Sequence, residues 1–203
     1  MKLYTTPGTC SLACHIALYE TGTDFTAETV DLRAKVTAGG ADFRAINPKG
    51  SVPALEVAPG SVLTEGVAIM QYVTDHKGGA GIAPTPGTLE RARMQEAMNF
   101  ISGELHKTGY GPLFRPGLTD EAKQAQFALI DTKLGWLEDR LSDGRDYLVP
   151  GGYTLADGYL FTITGWSKKF GHDLSRYPHI TALRDRVGQR PAVQAAMRAE
   201  GML

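Results

Sequence analysis

Cys10 is the side chain of this sequence best placed to do chemistry. It stands in Tyr4-Thr5-Thr6-Pro7-Gly8-Thr9-Cys10-Ser11-Leu12-Ala13-Cys14-His15. A thiol attacks as its thiolate, and a helix N-terminus favours that anion through free backbone N–H groups and the helix dipole. Met1–Tyr4 reads as an opening strand, Pro7 and Gly8 break regular structure, and Leu12, His15, Ile16 and Tyr19 recur at helical spacing from Ser11 onward. Cys10 is therefore expected at or just before a helix start. There it is either reactive or, as free cysteines commonly are, a small buried apolar residue. Cys14 makes the spacing C-x3-C, which is neither a redox C-x-x-C nor a complete metal site. One helical turn from Cys10, it is expected in the core rather than as a resolving thiol.

Two further stretches carry ligand chemistry. In Asn47-Pro48-Lys49-Gly50-Ser51-Val52-Pro53-Ala54-Leu55, a proline at a strand start belongs at an edge or turn. A cis Val52–Pro53 bond would turn the Val52 N–H and C=O outward, where an extended peptide ligand can pair with them; the sequence alone does not show a cis bond, and a plain trans edge proline is the more frequent case. Thr64-Glu65-Gly66 sits at a second helix start, where free N–H groups suit a carboxylate and the Glu65 side chain suits an ammonium. Together they suit an amino-acid head group, although from the residues alone a plain helix start with a dipole-favoured glutamate is the preferred reading.

Composition narrows the classes. The chain has 203 residues and a net charge of -1. That suffices for one large domain or two small ones and gives no sign of nucleic-acid or anionic-membrane binding. No apolar run approaches a membrane span, and the start lacks a signal-peptide plan. Two cysteines make a disulfide scaffold unexpected, so a reducing cytoplasm is the expected location. No His, Cys, Asp or Glu cluster has metal-ligand spacing, and no metal is expected.

The elements that position these residues fall into two parts. Residues 1–80 alternate strand and helix signals in the order β-α-β-α-β-β-α, with a hairpin turn at Ala58-Pro59-Gly60-Ser61. Residues 81–88 read as a Gly/Pro-rich linker. Residues 89–203 read as all-helical. Met94, Ala97, Met98, Ile101 and Leu105 form one stripe, and a helix follows Thr119-Asp120-Glu121. Another starts at Thr154-Leu155-Ala156-Asp157, a variant capping box. A last helix runs from about His179, and Pro191 interrupts it or starts another turn of helix. On the first of these helices Asn99, Gly103 and His106 are spaced to share one polar or small face. Glu104 lies about 140° round from Asn99 by the 3.6-residue period.

These pieces together resemble a cytosolic glutathione S-transferase. The start Met-Lys-Leu-Tyr-x-x-Pro-Gly-x-Cys-Ser-Leu, with Asn47-Pro48-Lys49-Gly50, Leu63-Thr64-Glu65-Gly66-Val67-Ala68-Ile69 and Glu104-Leu105-His106-Lys107, resembles the bacterial beta class in particular. The resemblance runs nearly end to end. It implies a thioredoxin-like N-terminal domain, an all-α C-terminal domain, glutathione as co-substrate and a homodimer. It implies that Cys10 lies beside the glutathione sulfur and can form a mixed disulfide with it. Val52 would bond the cysteinyl backbone, Glu65 and Gly66 the γ-glutamyl end, and Lys35 the glycyl carboxylate. Asn99, Gly103, Glu104, Leu105 and His106 would complete the glutathione site. Because one helix cannot easily aim Asn99 and Glu104 at one place, Glu104 is expected to reach glutathione on a partner subunit; the residues alone favour an exposed charge.

In the same resemblance His106, near Cys10, can hydrogen-bond or deprotonate a thiol, with Lys107 adding positive potential. Ser11 is the rival activator, since a serine hydroxyl serves in other transferase classes. Pro53, Thr154 and Asp157 would be structural. Tyr110, Leu113, Phe114 and Trp166 would line an apolar acceptor site for hydrophobic electrophiles. Thr5 stands where many beta-class members carry tyrosine, trimming the site mouth, and Gly66 stands where many transferases carry serine. Transfer of glutathione to an electrophile is the leading activity, with thiol-disulfide exchange at Cys10 beside it. A monothiol glutaredoxin-like reductase and a non-catalytic carrier of hydrophobic ligands are the alternatives. Detoxification, a catabolic dehalogenation and redox maintenance all fit the residues.

Overall fold

A computed structural model describes residues 1–203 and divides them into two units: Met1–Ala83 with Gln189–Leu203, and Pro84–Gly188. Unit 1 is built on a five-stranded sheet of β1 (Lys2–Thr5), β2 (Thr26–Asp31), β3 (Val36–Thr37), β4 (Ala54–Ala58) and β5 (Ser61–Thr64), in the order β3-β2-β1-β4-β5. β1 runs parallel to β2 and antiparallel to β4, so Leu3 lies opposite both Ala27 and Leu55. β4 and β5 form the expected hairpin, with Gly60 at φ 74 supplying the left-handed turn residue. The two-residue strand β3 was not legible in the sequence.

Helix α1 (Ser11–Glu20) is buried at every position from Ser11 to Leu18. An amphipathic helix buries one stripe; α1 buries its whole girth because it packs against both α3 (Gly66–His76) and α9 (Pro191–Ala199). The short α2 (Phe43–Ile46) is capped by Asp42, whose carboxylate accepts the Arg44 N–H, and its Phe43 joins Tyr4, Val30, Val52 and Ala54 in a buried cluster. The packing of α9 on α1 corrects the expected boundary. Pro191 does start a helix, but residues 189–203 fold with unit 1, not with the helical second domain.

Unit 2 holds α4 (Leu89–Phe100), α5 (Asp120–Leu141), α6 (Leu155–Thr164), α7 (Trp166–Phe170) and α8 (Pro178–Gly188). The expected stripe is buried: Met94, Ala97, Met98, Ile101 and Leu105. The helix beneath it changes type, however. After Phe100 the chain continues as a π-helix over Ile101–Tyr110 and then a short 3-10 turn over Gly111–Phe114. No helix is long and apolar enough to cross a membrane.

Candidate active site

In unit 1, Cys10 is the N-cap residue of α1, with helical backbone angles φ -61 and ψ -18. Its partly buried Sγ–H donates to the Val52 carbonyl at 3.6 Å. The Val52–Pro53 peptide is cis. The helix start is more occupied than the sequence suggests. Leu12 N–H donates to Thr9 O and Ala13 N–H to Cys10 O, both at 3.2 Å, and Ser11 N–H donates to Thr9 Oγ1 at 3.4 Å. The dipole remains, but these three amides already have acceptors. Cys14 is fully buried, donates to Gly66 O at 3.5 Å, and has its thiol pushed well above the usual range by burial and then by Cys10. It holds its proton and sits in the core, as expected.

Ser11 does not face an open site. It is 0% exposed, and its hydroxyl lies 2.7 Å from Thr5 Oγ1 and 2.8 Å from Thr9 Oγ1 while accepting the Thr6 N–H at 3.2 Å. This chain of hydroxyls, Thr5–Ser11–Thr9, makes Ser11 a loop-building residue and corrects its reading as an activator. Thr5 likewise is buried, at 3% exposure. Its Oγ1 donates to Glu200 Oε1 at 3.2 Å, while Glu200 Oε2 accepts the Gly8 N–H at 3.0 Å. His15 Nδ1 completes the cluster, 3.0 Å from Glu200 Oε1. Sequence reasoning missed His15 and Glu200 as supports of the Cys10 loop. Nothing local marks them.

The remaining unit 1 candidates are Glu65, Gly66 and Lys35. Glu65 is the N-cap of α3 at φ 69, a left-handed angle rare for a residue with a Cβ. Its exposed carboxylate takes Lys49 Nζ at 2.6 Å, and the same ammonium donates to Thr64 Oγ1 at 2.9 Å. Gly66 opens α3, and a Cβ there would meet Pro53 Cγ at 3.6 Å and Cys14 Sγ at 3.7 Å, ordinary contact distances. Lys35, also left-handed at φ 61, donates from Nζ to Gly50 O at 2.7 Å.

In unit 2, the π-helix replaces the 3.6-residue period from which a shared face of Asn99, Gly103 and His106 was read, because its bonds close i to i+5. Asn99 and Gly103 are exposed, and Leu105 is fully buried. Glu104 pairs with Lys133 of α5 at 2.6 Å, so its carboxylate has a partner within its own chain. His106 Nδ1 lies 3.0 Å from the Tyr159 hydroxyl, and its ring meets Trp166 edge-on at 5.1 Å. Burial, and then the charge of Lys107, bring the His106 imidazole down to about 4. It is neutral near pH 7, a hydrogen-bonding group and a weak base.

Of the expected acceptor residues, Leu113 and Trp166 are nearly buried and Phe114 is exposed. Phe114 packs edge-on against Trp166 at 4.9 Å and against Phe170 at 4.8 Å, with Lys169 Nζ 4.8 Å from its ring. Phe170 and Lys169 were missed by the sequence reading. Tyr110 departs from its expected role. It is 0% exposed, its hydroxyl bonds Ser167 and lies 3.4 Å from His172 Nδ1, and burial pushes its phenol up to about 12. It is a core residue of unit 2. The cap of α6 has the expected form. Asp157 Oδ2 accepts the Thr154 N–H at 2.7 Å and the Thr154 hydroxyl at 3.0 Å, and Oδ1 accepts the Leu148 N–H at 2.8 Å.

With this geometry in hand, comparison with known proteins decides the family. The family model "Glutathione S-transferase, N-terminal domain" matches residues 1–75, and "Glutathione S-transferase, C-terminal domain" matches residues 101–191. The chain belongs to the glutathione S-transferase family. This transferase is 43% identical over 202 residues to glutathione S-transferase GstA of Escherichia coli O157:H7, covering 100% of both chains. Among solved structures, a glutathione transferase from Methylococcus capsulatus is 48% identical with a TM-score of 0.95, covering 100% of this chain and 99% of that one. A sphingomonad glutathione S-transferase complexed with glutathione is 43% identical with a TM-score of 0.94, and the two chains cover each other fully. A bacterial beta-class enzyme from Sphingomonas chungbukensis, 45% identical with a TM-score of 0.94, also covers both chains fully. The thioredoxin-like and helical halves and the beta-class likeness read from Cys10-Ser11, Glu65-Gly66 and His106-Lys107 therefore hold.

Proposed function

We propose that this glutathione S-transferase binds glutathione along the Val52 strand start and uses Cys10 as the group that touches its sulfur. The observation that carries this reading is the Cys10 thiol facing the Val52 carbonyl at 3.6 Å. It puts a nucleophilic sulfur beside the backbone to which an extended tripeptide would pair. Glu65 suits the γ-glutamyl ammonium once Lys49 yields its place, and the α3 N-terminus at Gly66 suits the carboxylate. In transfer, the glutathione thiolate attacks an electrophilic carbon, a C–S bond forms, and the leaving group departs with its electron pair. The exposed ring of Phe114, with Trp166 and Phe170, supplies apolar and aromatic surface for such an acceptor.

Thiol-disulfide exchange is the second activity, and the state of Cys14 favours a monothiol form of it. Cys10 thiolate attacks the glutathione sulfur of a mixed disulfide between glutathione and a substrate thiol. A Cys10–glutathione S–S bond forms, the substrate S–S bond breaks, and the substrate thiolate leaves. A second glutathione thiolate then resolves the Cys10–glutathione disulfide, releasing Cys10 and yielding oxidised glutathione. Cys14, buried and protonated, is not available for that step. We further infer a homodimer in the cytoplasm. Supporting it, Tyr72 stacks with His76 on α3 and Phe100 packs at a tilt against Trp136 across α4 and α5, leaving Tyr72 39% and Trp136 42% exposed. Exposed aromatic surface of this kind is characteristic of interfaces.

Intact-protein mass after incubation with oxidised glutathione, with Cys10→Ala alongside, tests the site. One glutathione adduct that disappears in the variant is the expected result. No adduct on the parent chain removes Cys10 from the glutathione sulfur. Turnover of a disulfide and of an aryl halide by the same two proteins then separates the activities: reductase activity is lost in Cys10→Ala, while transferase activity changes but persists. A carrier alone would bind apolar ligands and turn over neither.

A further inference from the structure

Unit 1 contains a cleft of 380 Å³ between α1, the turn at Gly22–Phe25 and Glu200 that the glutathione reading leaves unused. Its floor is the His15–Glu200 pair, whose side chains are 2% and 1% exposed. Its walls are aromatic. Tyr19 and Phe25 meet edge-on with ring centres 5.2 Å apart, and the His15 ring stacks on Tyr19 at 5.3 Å. At the rim stands Asp24, an exposed carboxylate with no hydrogen bond or ion pair of its own.

The charge of this lining is one-sided. Asp24 and Glu200 contribute carboxylates, and no lysine or arginine lines the cleft. The α-ammonium of Met1 faces the same turn but donates to the Asp24 backbone carbonyl at 3.2 Å, leaving the side chain unpaired. Glu200 is saturated by His15, Thr5 and Gly8. The free negative group is therefore Asp24. Aromatic faces carry negative electrostatic potential, and beside a carboxylate they favour an organic cation over a neutral or anionic molecule of the same shape. The volume lies within the range of small-molecule pockets.

We propose that this cleft binds a small organic ammonium ion, its charged head at the Asp24 carboxylate and its carbon body against the joined faces of the Tyr19 and Phe25 rings. Glu200 connects the site to the loop of the reactive thiol: its second oxygen accepts the Gly8 N–H, two residues before Cys10. Occupancy is thus felt at Gly8 as well as at the cleft. The proposal does not depend on where glutathione binds.

The test is a titration of the full-length, nitrogen-15-labelled chain with n-butylammonium chloride at constant ionic strength, following the amides of Gly8, Thr23, Asp24 and Phe25. n-Butanol serves as the neutral isostere. The expected result is saturable shifts at these amides with the ammonium and none with the alcohol. Asp24→Asn and Phe25→Leu each weaken binding about tenfold, the size of one lost charge or cation–π contact in a partly desolvated site. Asp24 is exposed, so Asp24→Asn keeps the fold and the titration remains readable. Absence of saturation, equal response to butanol, or parent affinity in either folded variant overturns the proposal.

Discussion

Glu200 Oε1 lies 3.0 Å from His15 Nδ1 across 185 residues of sequence. The same carboxylate takes the Thr5 hydroxyl and the Gly8 N–H, so one residue of the C-terminal segment ties β1, α1 and the Cys10 loop together. Removing one partner from a buried hydrogen-bonded cluster leaves the others desolvated and unpaired, at a cost of about 1–3 kcal/mol per group. Glu200→Ala is expected to lower unfolding stability by about 3 kcal/mol in urea melts, with an unchanged slope against denaturant. Glu200→Gln keeps an acceptor for Thr5 and should lose about half as much. A loss below about 0.5 kcal/mol for the alanine variant, the size of a surface substitution, would mean that the cluster does not hold the loop.

Asp157 and His106 make opposing contributions to stability against pH. Burial raises the Asp157 carboxyl to about 6 from 3.8. The folded state then binds more protons than the unfolded one between these values, and stability falls as pH rises through that window. Burial lowers the His106 imidazole to about 4 from 6.5. Here the unfolded state binds more protons, and stability rises with pH from about 4 to about 6.5. Each effect is on the order of 3 kcal/mol, so they nearly cancel in the parent chain. Asp157→Asn should be less stable overall and should uncover the His106 term as a steep loss of stability on acidification from pH 6.5 to pH 4. Flat pH dependence in that variant would contradict the His106 shift, which an imidazole NMR titration checks directly.

The fold was legible where a local pattern decides it. Pro7-Gly8 before the apolar period of α1, the Ala58–Ser61 turn and the Thr154/Asp157 box each state their geometry within a few residues. The candidate site was legible in part for the same reason, since Cys10 stands at the start of α1 and Glu65 and Gly66 at the start of α3. What escaped is non-local or breaks the assumed period. His15 looked like one more residue of the α1 stripe because its partner lies near the C-terminus. The face shared by Asn99, Gly103 and His106 rested on 3.6 residues per turn, and the chain leaves that geometry at Ile101. Tyr110 suited an acceptor pocket by type, but Ser167 and His172, far along the chain, turn its hydroxyl inward.

Gly66 offers a gain-of-binding test of the glutathione reading. Its Cβ position has only ordinary contacts, and its φ is not in the left-handed region, so serine fits without strain. Gly66→Ser places a hydroxyl at the N-terminus of α3, where a ligand carboxylate would lie. One added hydrogen bond of about 1 kcal/mol corresponds to about fivefold tighter glutathione binding. The measurement is calorimetric titration of both proteins, with thermal melts to show equal folding. Unchanged affinity in a folded Gly66→Ser chain would place the γ-glutamyl carboxylate elsewhere.

Glu104 separates a local role from one at a second subunit. Its carboxylate is 46% exposed and already held by Lys133 at 2.6 Å. Exposed ion pairs contribute about 0–1 kcal/mol, so Glu104→Ala should barely move the melting temperature. Lys133→Met breaks the same pair but leaves the carboxylate in place. If Glu104 serves only Lys133, both variants bind glutathione as the parent does. If it also reaches glutathione on a partner subunit, Glu104→Ala weakens binding about fivefold or more, whereas Lys133→Met frees the carboxylate and leaves binding equal or tighter. We expect the first outcome, because the pair with Lys133 satisfies Glu104 within its own chain. Glutathione titration of the two variants beside the parent, at matched protein concentration so that the oligomeric state is held constant, decides between them.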